Sequence, residues 1–191
     1  MRSLKEARGT RIHNRTIDIT TYAAGDLCIM VEGRLRDDRL VETHHFNGET
    51  LPPKTYHHMV LRMLVRGPKL TIEDLEVEMP TAPREACLET LGMMAPLKGM
   101  CISSGFTARV KKLVGGPRGC AHVVSLMLTM APAAVQGFWS YLAQNPSQAK
   151  LLTPKLSQYL IDTCWVWRQD SPALKRFREE FQQEAPADRN S

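Results

Sequence analysis

The 191-residue chain has few aromatic residues, 6% of the total, and a formal net charge of only +5. It carries no recognised nucleic-acid motif, and this combination argues against a DNA- or RNA-binding surface. Its five cysteines, Cys28, Cys87, Cys101, Cys120 and Cys164, are odd in number and irregularly spaced. That excludes a disulfide framework and makes a reducing, cytoplasmic setting the expectation. Neither a CxxC nor an HExxH motif occurs. The basic N-terminus, MRSLKEARGTRIHNRTIDI, is not followed by an apolar run, so no secretory signal is expected. Strong catalytic signatures are missing too. What remains is a chain long enough to bury roughly 70% of its unfolded surface in one core.

One long stretch is free of charge. From Gly119 to Ala149 there is no charged side chain unless His122 is protonated, and Val, Leu, Met and Ala dominate. A membrane span needs about 20 mostly apolar residues. Ser125, Thr129, Gln136, Ser140 and Gln144 interrupt this one, and Pro132 and Gly137 lie inside it. The expectation is a long buried helix in a soluble protein, with no membrane.

The first half alternates with period two. Leu27, Ile29, Val31 and Leu35 share one strand face, and Cys28, Glu32, Arg34 and Arg36 share the other. An Ile/Thr-rich strand over Arg11–Ala23 would pair with it through an Ala24-Gly25-Asp26 turn. Tyr56–Arg66 alternates as well, with His57, Met59, Leu61, Met63 and Val65 in one phase. Leu70–Met79 changes phase, which predicts a β-bulge near Asp74. After Pro80 the spacing turns helical. A short helix is expected from Pro83 through Cys87, Leu88 and Leu91, and another over Phe106–Val114, ended by Gly115-Gly116-Pro117. Then come the long helix from Cys120, a break at Asn145-Pro146, a resumed helix over Gln148–Trp167 and a charged one over Ser171–Gln183. Strands first and helices afterwards predict an α+β fold, an antiparallel sheet in the N-terminal half packed against C-terminal helices. The expected organisation is a core domain over 1–146, a helical extension over 147–184 and a frayed tail over 185–191.

The segment Gly115–His122 is the most distinctive. Its glycines permit tight turns, and a helix start offers free N–H groups and a positive dipole end. Cys120 at that start would be a reactive thiolate, although glycine as punctuation and cysteine as a small buried residue account for the same pattern. From Thr90 through Ile161 there is no acid, yet Lys98, Arg109, Lys111, Lys112, Arg118, Lys150 and Lys155 are present. Either these form a solvated face, or Arg118 and Gly119 help bind a small anion. His57, Cys87, Cys120 and His122 form a possible Cys2His2 set for zinc or iron. Cys120 with His57 is the better nucleophile–base dyad, since positions 120 and 122 would not face each other on a helix.

These residues carry a family resemblance. Arg15-Thr16-Ile17, the VEGRLRD run at Val31–Asp37, the run from His57 to Arg62, Ile72-Glu73-Asp74, Cys87, Leu97-Lys98-Gly99, Gly105-Phe106 and Gly115–His122 together resemble the domain of unknown function 2889 family over roughly residues 11–140. Family members typically read His-Asp-Met where this chain has His57-His58-Met59. The resemblance implies a shared fold and no assigned activity. More distantly, the order of His57, Cys87 and Cys120 resembles the NifU/IscU-type iron–sulfur scaffolds. That implies a small sheet packed on helices, with its ligands at one end. In those scaffolds a His precedes the last Cys, whereas here His122 follows Cys120.

Three functional readings follow. The first is a metal-binding protein, read as a metalloenzyme on a small carboxylate-bearing substrate, with Cys120 and His57 catalytic and Arg118 orienting the anion. The second is a non-catalytic iron–sulfur or metal carrier. The third is an interaction module docking a protein partner or a second copy, because Trp165 and Trp167 cannot both face one core.

Overall fold

A computed structural model describes residues 3–149, 152 and 160–183. The chain divides into two compact units, Met1–Phe138 and Trp139–Ser191.

The first unit is built on a four-stranded antiparallel sheet. Strands β1 (His13–Ala23), β2 (Cys28–Arg39), β5 (Lys54–Arg66) and β6 (Thr71–Thr81) lie side by side in that order, and β3 (Thr43–His44) and β4 (Thr50–Leu51) form a small hairpin between β2 and β5. β1 and β2 pair from His13↔Arg39 to Ala23↔Ile29. The turn between them is closed by Gly25, whose φ of 123° is a conformation that side chains resist. The expected hairpin is therefore present.

Alternation decides which face is buried. Ile29, Val31 and Leu35 on β2 and Met59, Leu61, Met63 and Val65 on β5 are fully buried. Each such side chain contributes roughly 1.5–3 kcal/mol of transfer free energy on burial. On the opposite face Arg62 reaches Glu32, Glu76 and Glu78 on the two neighbouring strands. The pairs to the exposed Glu76 and Glu78 are worth about 0–1 kcal/mol each, so the apolar face carries the fold. The phase change in β6 is real. Leu64 pairs with Asp74 but Val65 with Ile72, which leaves Glu73 as the extra residue of a bulge.

Helices α1 (Phe106–Val114) and α2 (Ala121–Ala143) follow. Residues Val123, Leu126, Met127, Met130, Ala134 and Phe138 recur at helical spacing and are buried. A Cβ added to Gly33 would stand 2.5 Å from Met130 Sδ and 3.0 Å from Leu126 Cδ1, so glycine at the centre of β2 is what lets α2 lie close to the sheet. By length and composition α2 could cross a membrane. Its buried stripe, however, is that of a core helix. The segment 99–102 runs beside the start of β6, with Ile72 N–H bonded to the Met100 carbonyl and Ile102 N–H to that of Leu70. That covers part of an otherwise open sheet edge.

The region after Pro83 departs from expectation. Glu85–Leu97 is a succession of 3-10 turns, and its buried residues are Met94 and Leu97 rather than Cys87, Leu88 and Leu91. Gly92 and Pro96 both work against a continuous α-helix there.

In the second unit Trp165–Trp167 forms one 3-10 turn, and α3 (Pro172–Gln183) closes the described chain. Ser171 Oγ accepts from Leu174 N–H at 3.0 Å, an N-cap. Trp167 meets Phe177 edge-on at 5.6 Å, while Trp165 is 78% exposed. The expected helix over Gln148–Trp167 is not continuous. Residues 160–164 form turns and bends, and 150, 151 and 153–159 lie outside the described residues, as does the expected tail.

Candidate metal and anion site

Beyond the N-terminal end of α2 the inner face of the sheet turns polar. On β2 the buried row Ile29, Val31, Gly33 and Leu35 continues in phase to Asp37, which is 3% exposed. Its neighbours across the sheet are Arg15 on β1 and His57 on β5. His122, in the first turn of α2, completes the group. A cavity of about 280 Å³ opens there, lined by these four residues with His13, Arg39 and Tyr56.

Arg15 grips the carboxylate as a fork, with Nε and Nη2 each donating to one Asp37 oxygen at 2.6 Å. Three imidazoles surround the same group. His57 Nδ1 is 3.1 Å and His122 Nε2 3.5 Å from Oδ2, and His13 Nε2 is 3.4 Å from Oδ1. The His57 and His122 rings stack with centroids 3.7 Å apart. His57 Nδ1 lies within ion-pair distance of the carboxylate but makes no hydrogen bond, so it is a buried nitrogen without a hydrogen-bond partner. The Tyr56 hydroxyl is buried and unpartnered as well.

The local field sets the protonation. The Arg15 hydrogen bonds hold the Asp37 carboxyl below its ordinary range, against the opposing effect of burial. Burial first, and the neighbouring His57 second, push the His122 imidazole down, while Asp37 pulls it partly back. Asp37 is thus an anion at neutral pH and His122 a neutral imidazole, which are the states that coordinate a metal.

Asp37, His57 and His122 each offer one ligand atom, all within 4.8 Å of one another. Ligands at about 2 Å from a single ion sit roughly 3–4 Å apart, so small side-chain rotations would bring the three onto one cation. Arg15 does not prevent this, because each carboxylate oxygen keeps a second lone pair.

Of the residues singled out from the sequence, the structure brings His57 and His122 together. Cys120 stands beside them, its Sγ 3.9 Å from His122 Nδ1, outside the three-ligand group. The two residues do face each other at the helix entry. Cys87 lies in the 3-10 segment and is not in the group. Arg118 donates to the Lys111 carbonyl at 3.3 Å and does not line the cavity. Gly119, extended at φ 178°, leads into α2. Other cations of the acid-free stretch are engaged elsewhere: Lys98 pairs with Asp74, and Arg109 donates to the Cys101 and Ser104 carbonyls and to Ser103 Oγ. Lys150 and Lys155 fall outside the described residues.

Asp37, Arg15, Arg39, His13 and Tyr56 are the site residues that sequence reading did not single out. The signal for Asp37 was present, since an acid that continues an apolar alternation must face the core. Arg15 follows from it by strand pairing, and Arg39 lies two residues further along β2 in the same phase.

Among comparisons with known proteins, no curated protein and no solved structure matches the chain, and nothing in them supports the likeness to iron–sulfur scaffolds. The profile of one family, described as a protein of unknown function (DUF2889), matches residues 13–136. That span holds the whole sheet, every residue of the Asp37–His57–His122 group and most of α2. The chain belongs to the DUF2889 family.

Proposed function

We propose that the protein binds a divalent metal, zinc or iron, through Asp37, His57 and His122, and acts as a metalloenzyme on a small anionic substrate. The observation that carries this reading is the His57 Nδ1 atom, buried without a hydrogen bond beside a buried carboxylate and a second imidazole. A buried polar atom left without a partner costs about 1–3 kcal/mol, and a cation would satisfy it. Three protein ligands leave a coordination position open, the pattern of catalytic rather than structural sites. A metal there would supply Lewis acidity toward a bound oxygen. Arg39 at the cavity wall supports the anionic substrate.

The donor set of two nitrogens and one oxygen favours a single ion over an iron–sulfur cluster, which is held mainly by thiolates. Five free cysteines suit a reducing, cytoplasmic setting.

Elemental analysis of untagged protein tests the reading. Near-stoichiometric zinc or iron is expected, lost in His57→Ala and His122→Ala and kept in Cys87→Ser. Loss in Cys87→Ser with retention in His57→Ala would refute the ligand assignment. Iron accompanied by acid-labile sulfide would replace it with the carrier reading.

A further inference from the structure

The lower end of the cavity has its own construction. Asp37 pairs with His57, but the next residue, Asp38, pairs with Thr55. Tyr56 is therefore the extra residue of a bulge, and the bulge reverses the phase of β5 below it. Thr55 turns outward to donate to Asp38 Oδ1 at 2.7 Å, while Tyr56 joins His57 on the cavity side. Arg39 and Lys54, paired across β2 and β5, gather over the Tyr56 ring at 3.8 and 5.0 Å from its centroid.

Arg15 is neutralised by Asp37. Arg39 and Lys54 have no acidic partner among the described residues. Arg39 donates to Thr43 Oγ1 and otherwise rests on the ring. Two uncompensated cations thus gather over the ring of Tyr56, which lines the cavity with Arg39 and carries a buried, unpartnered hydroxyl. A carboxylate would neutralise one of those charges. A phosphate dianion neutralises both, and its terminal oxygens can take donors from the guanidinium, the ammonium and the phenol together.

We propose that Arg39, Lys54 and Tyr56 form a subsite for a phosphate group beside the Asp37–His57–His122 centre, which makes the substrate a small phosphate monoester. The assignment rests on reading the same cavity as a metal-assisted site and adds the substrate class.

The test is calorimetric titration of the full chain, stripped with a chelator, using inorganic phosphate, phenyl phosphate and acetate. Phosphate is expected to bind, and Arg39→Gln and Lys54→Gln each to weaken it by about tenfold or more, the loss of one charged hydrogen bond. Tyr56→Phe should weaken it severalfold. Lys54 is exposed, so its variant carries the test even if Arg39→Gln fails to fold. Tighter binding of phenyl phosphate would identify a monoester as the ligand; tighter inorganic phosphate would support the subsite but overturn the monoester assignment. Acetate binding as tightly as phosphate, or wild-type affinity in Lys54→Gln, would overturn it. Zinc titrated alone into the same proteins separates the two readings. Zinc uptake without phosphate binding sinks the subsite and leaves the metal centre. Arg39-dependent phosphate binding without zinc uptake does the reverse.

Discussion

Replacing Asp37 with Asn keeps the shape of the side chain and removes its charge, so the loss measures electrostatics rather than packing. Asp37 accepts two charge-assisted hydrogen bonds from Arg15 at 2.6 Å. Hydrogen bonds to charged groups contribute about 1.5–3 kcal/mol each. Breaking a fully buried ion pair costs about 3–5 kcal/mol, but the Arg15 side chain is 40% exposed and regains water once released. The expected destabilisation at pH 7 is therefore about 2–3 kcal/mol, read by urea unfolding of chelator-treated protein. The pH dependence is more discriminating. Because the folded state holds the Asp37 carboxyl below its ordinary range, its contribution is complete above the unfolded pKa and is lost as pH falls toward the folded one. The groups facing it are Arg15, His13, His57 and His122. His122 acts in the same direction. Its folded pKa lies below the unfolded value, so acid favours unfolding from about pH 6.5 downward. Asp37 is the group that raises His122, and without it that acid sensitivity deepens. The gap between wild type and Asp37→Asn should thus widen from pH 7 to about 5.5 and close below about 4. A constant gap across the range would refute the assignment of the charge to this site.

Two glycines separate rigid from yielding neighbours. Gly67→Ala drives a methyl into the Phe138 ring, a large and fully packed side chain, and should cost about 1–3 kcal/mol in thermal or urea unfolding. Gly33→Ala meets the flexible end of Met130, so its cost should be the smaller of the two; the opposite order would contradict the packing described. Arg118→Ala removes an exposed hydrogen bond to the Lys111 carbonyl and should change stability by no more than about 0.5 kcal/mol, leaving phosphate affinity unchanged in the same titration.

The legible parts of this fold are those where apolar residues mark a phase. Ile29, Val31 and Leu35, or Met59, Leu61 and Met63, announce their strands and inner face, and the phase slip between Ile72 and Leu75 announces the Glu73 bulge. The second bulge, at Tyr56, leaves no such trace. Around it the chain reads Lys54-Thr55-Tyr56-His57-His58, where no apolar residue records which face is inside. The two histidines were visible as ligand types, and His57 lay in the buried phase. The carboxylate between them was hidden by the habit of reading acids as outward-facing, although its phase said otherwise. Cysteine chemistry drew attention to Cys87, but ligand type says nothing about distance, and a run of 3-10 turns holds it outside the ligand group. The acid-free stretch misled in a related way. Charge in sequence is not charge in a cavity, because a guanidinium next to free carbonyls is consumed by them, as Arg109 and Arg118 are.

The charges that do line the cavity make metal and anion interdependent. Arg15 and Arg39 line it with a single carboxylate, Asp37, and Lys54 adds a further positive charge over the Tyr56 ring. A divalent cation entering alone meets net positive charge. A divalent cation and a unit charge roughly 6 Å apart repel by about 5–6 kcal/mol at an effective dielectric near 20. A phosphate dianion beside Arg39 reverses that field, and by linkage each ligand should then tighten the other by the same factor. Arg39→Gln turns this into a test of sign. Without phosphate the variant has one repelling charge fewer, and zinc should bind it more tightly than wild type. With phosphate present below its precipitation limit, the variant no longer holds the anion well and zinc should bind it more weakly. Steric damage at Arg39 would weaken zinc under both conditions, and a residue remote from the metal would change neither. Only an arginine that repels the cation directly and attracts it through a shared anion gives opposite signs, so zinc affinities that move the same way in both buffers would break the link between the two halves of the site.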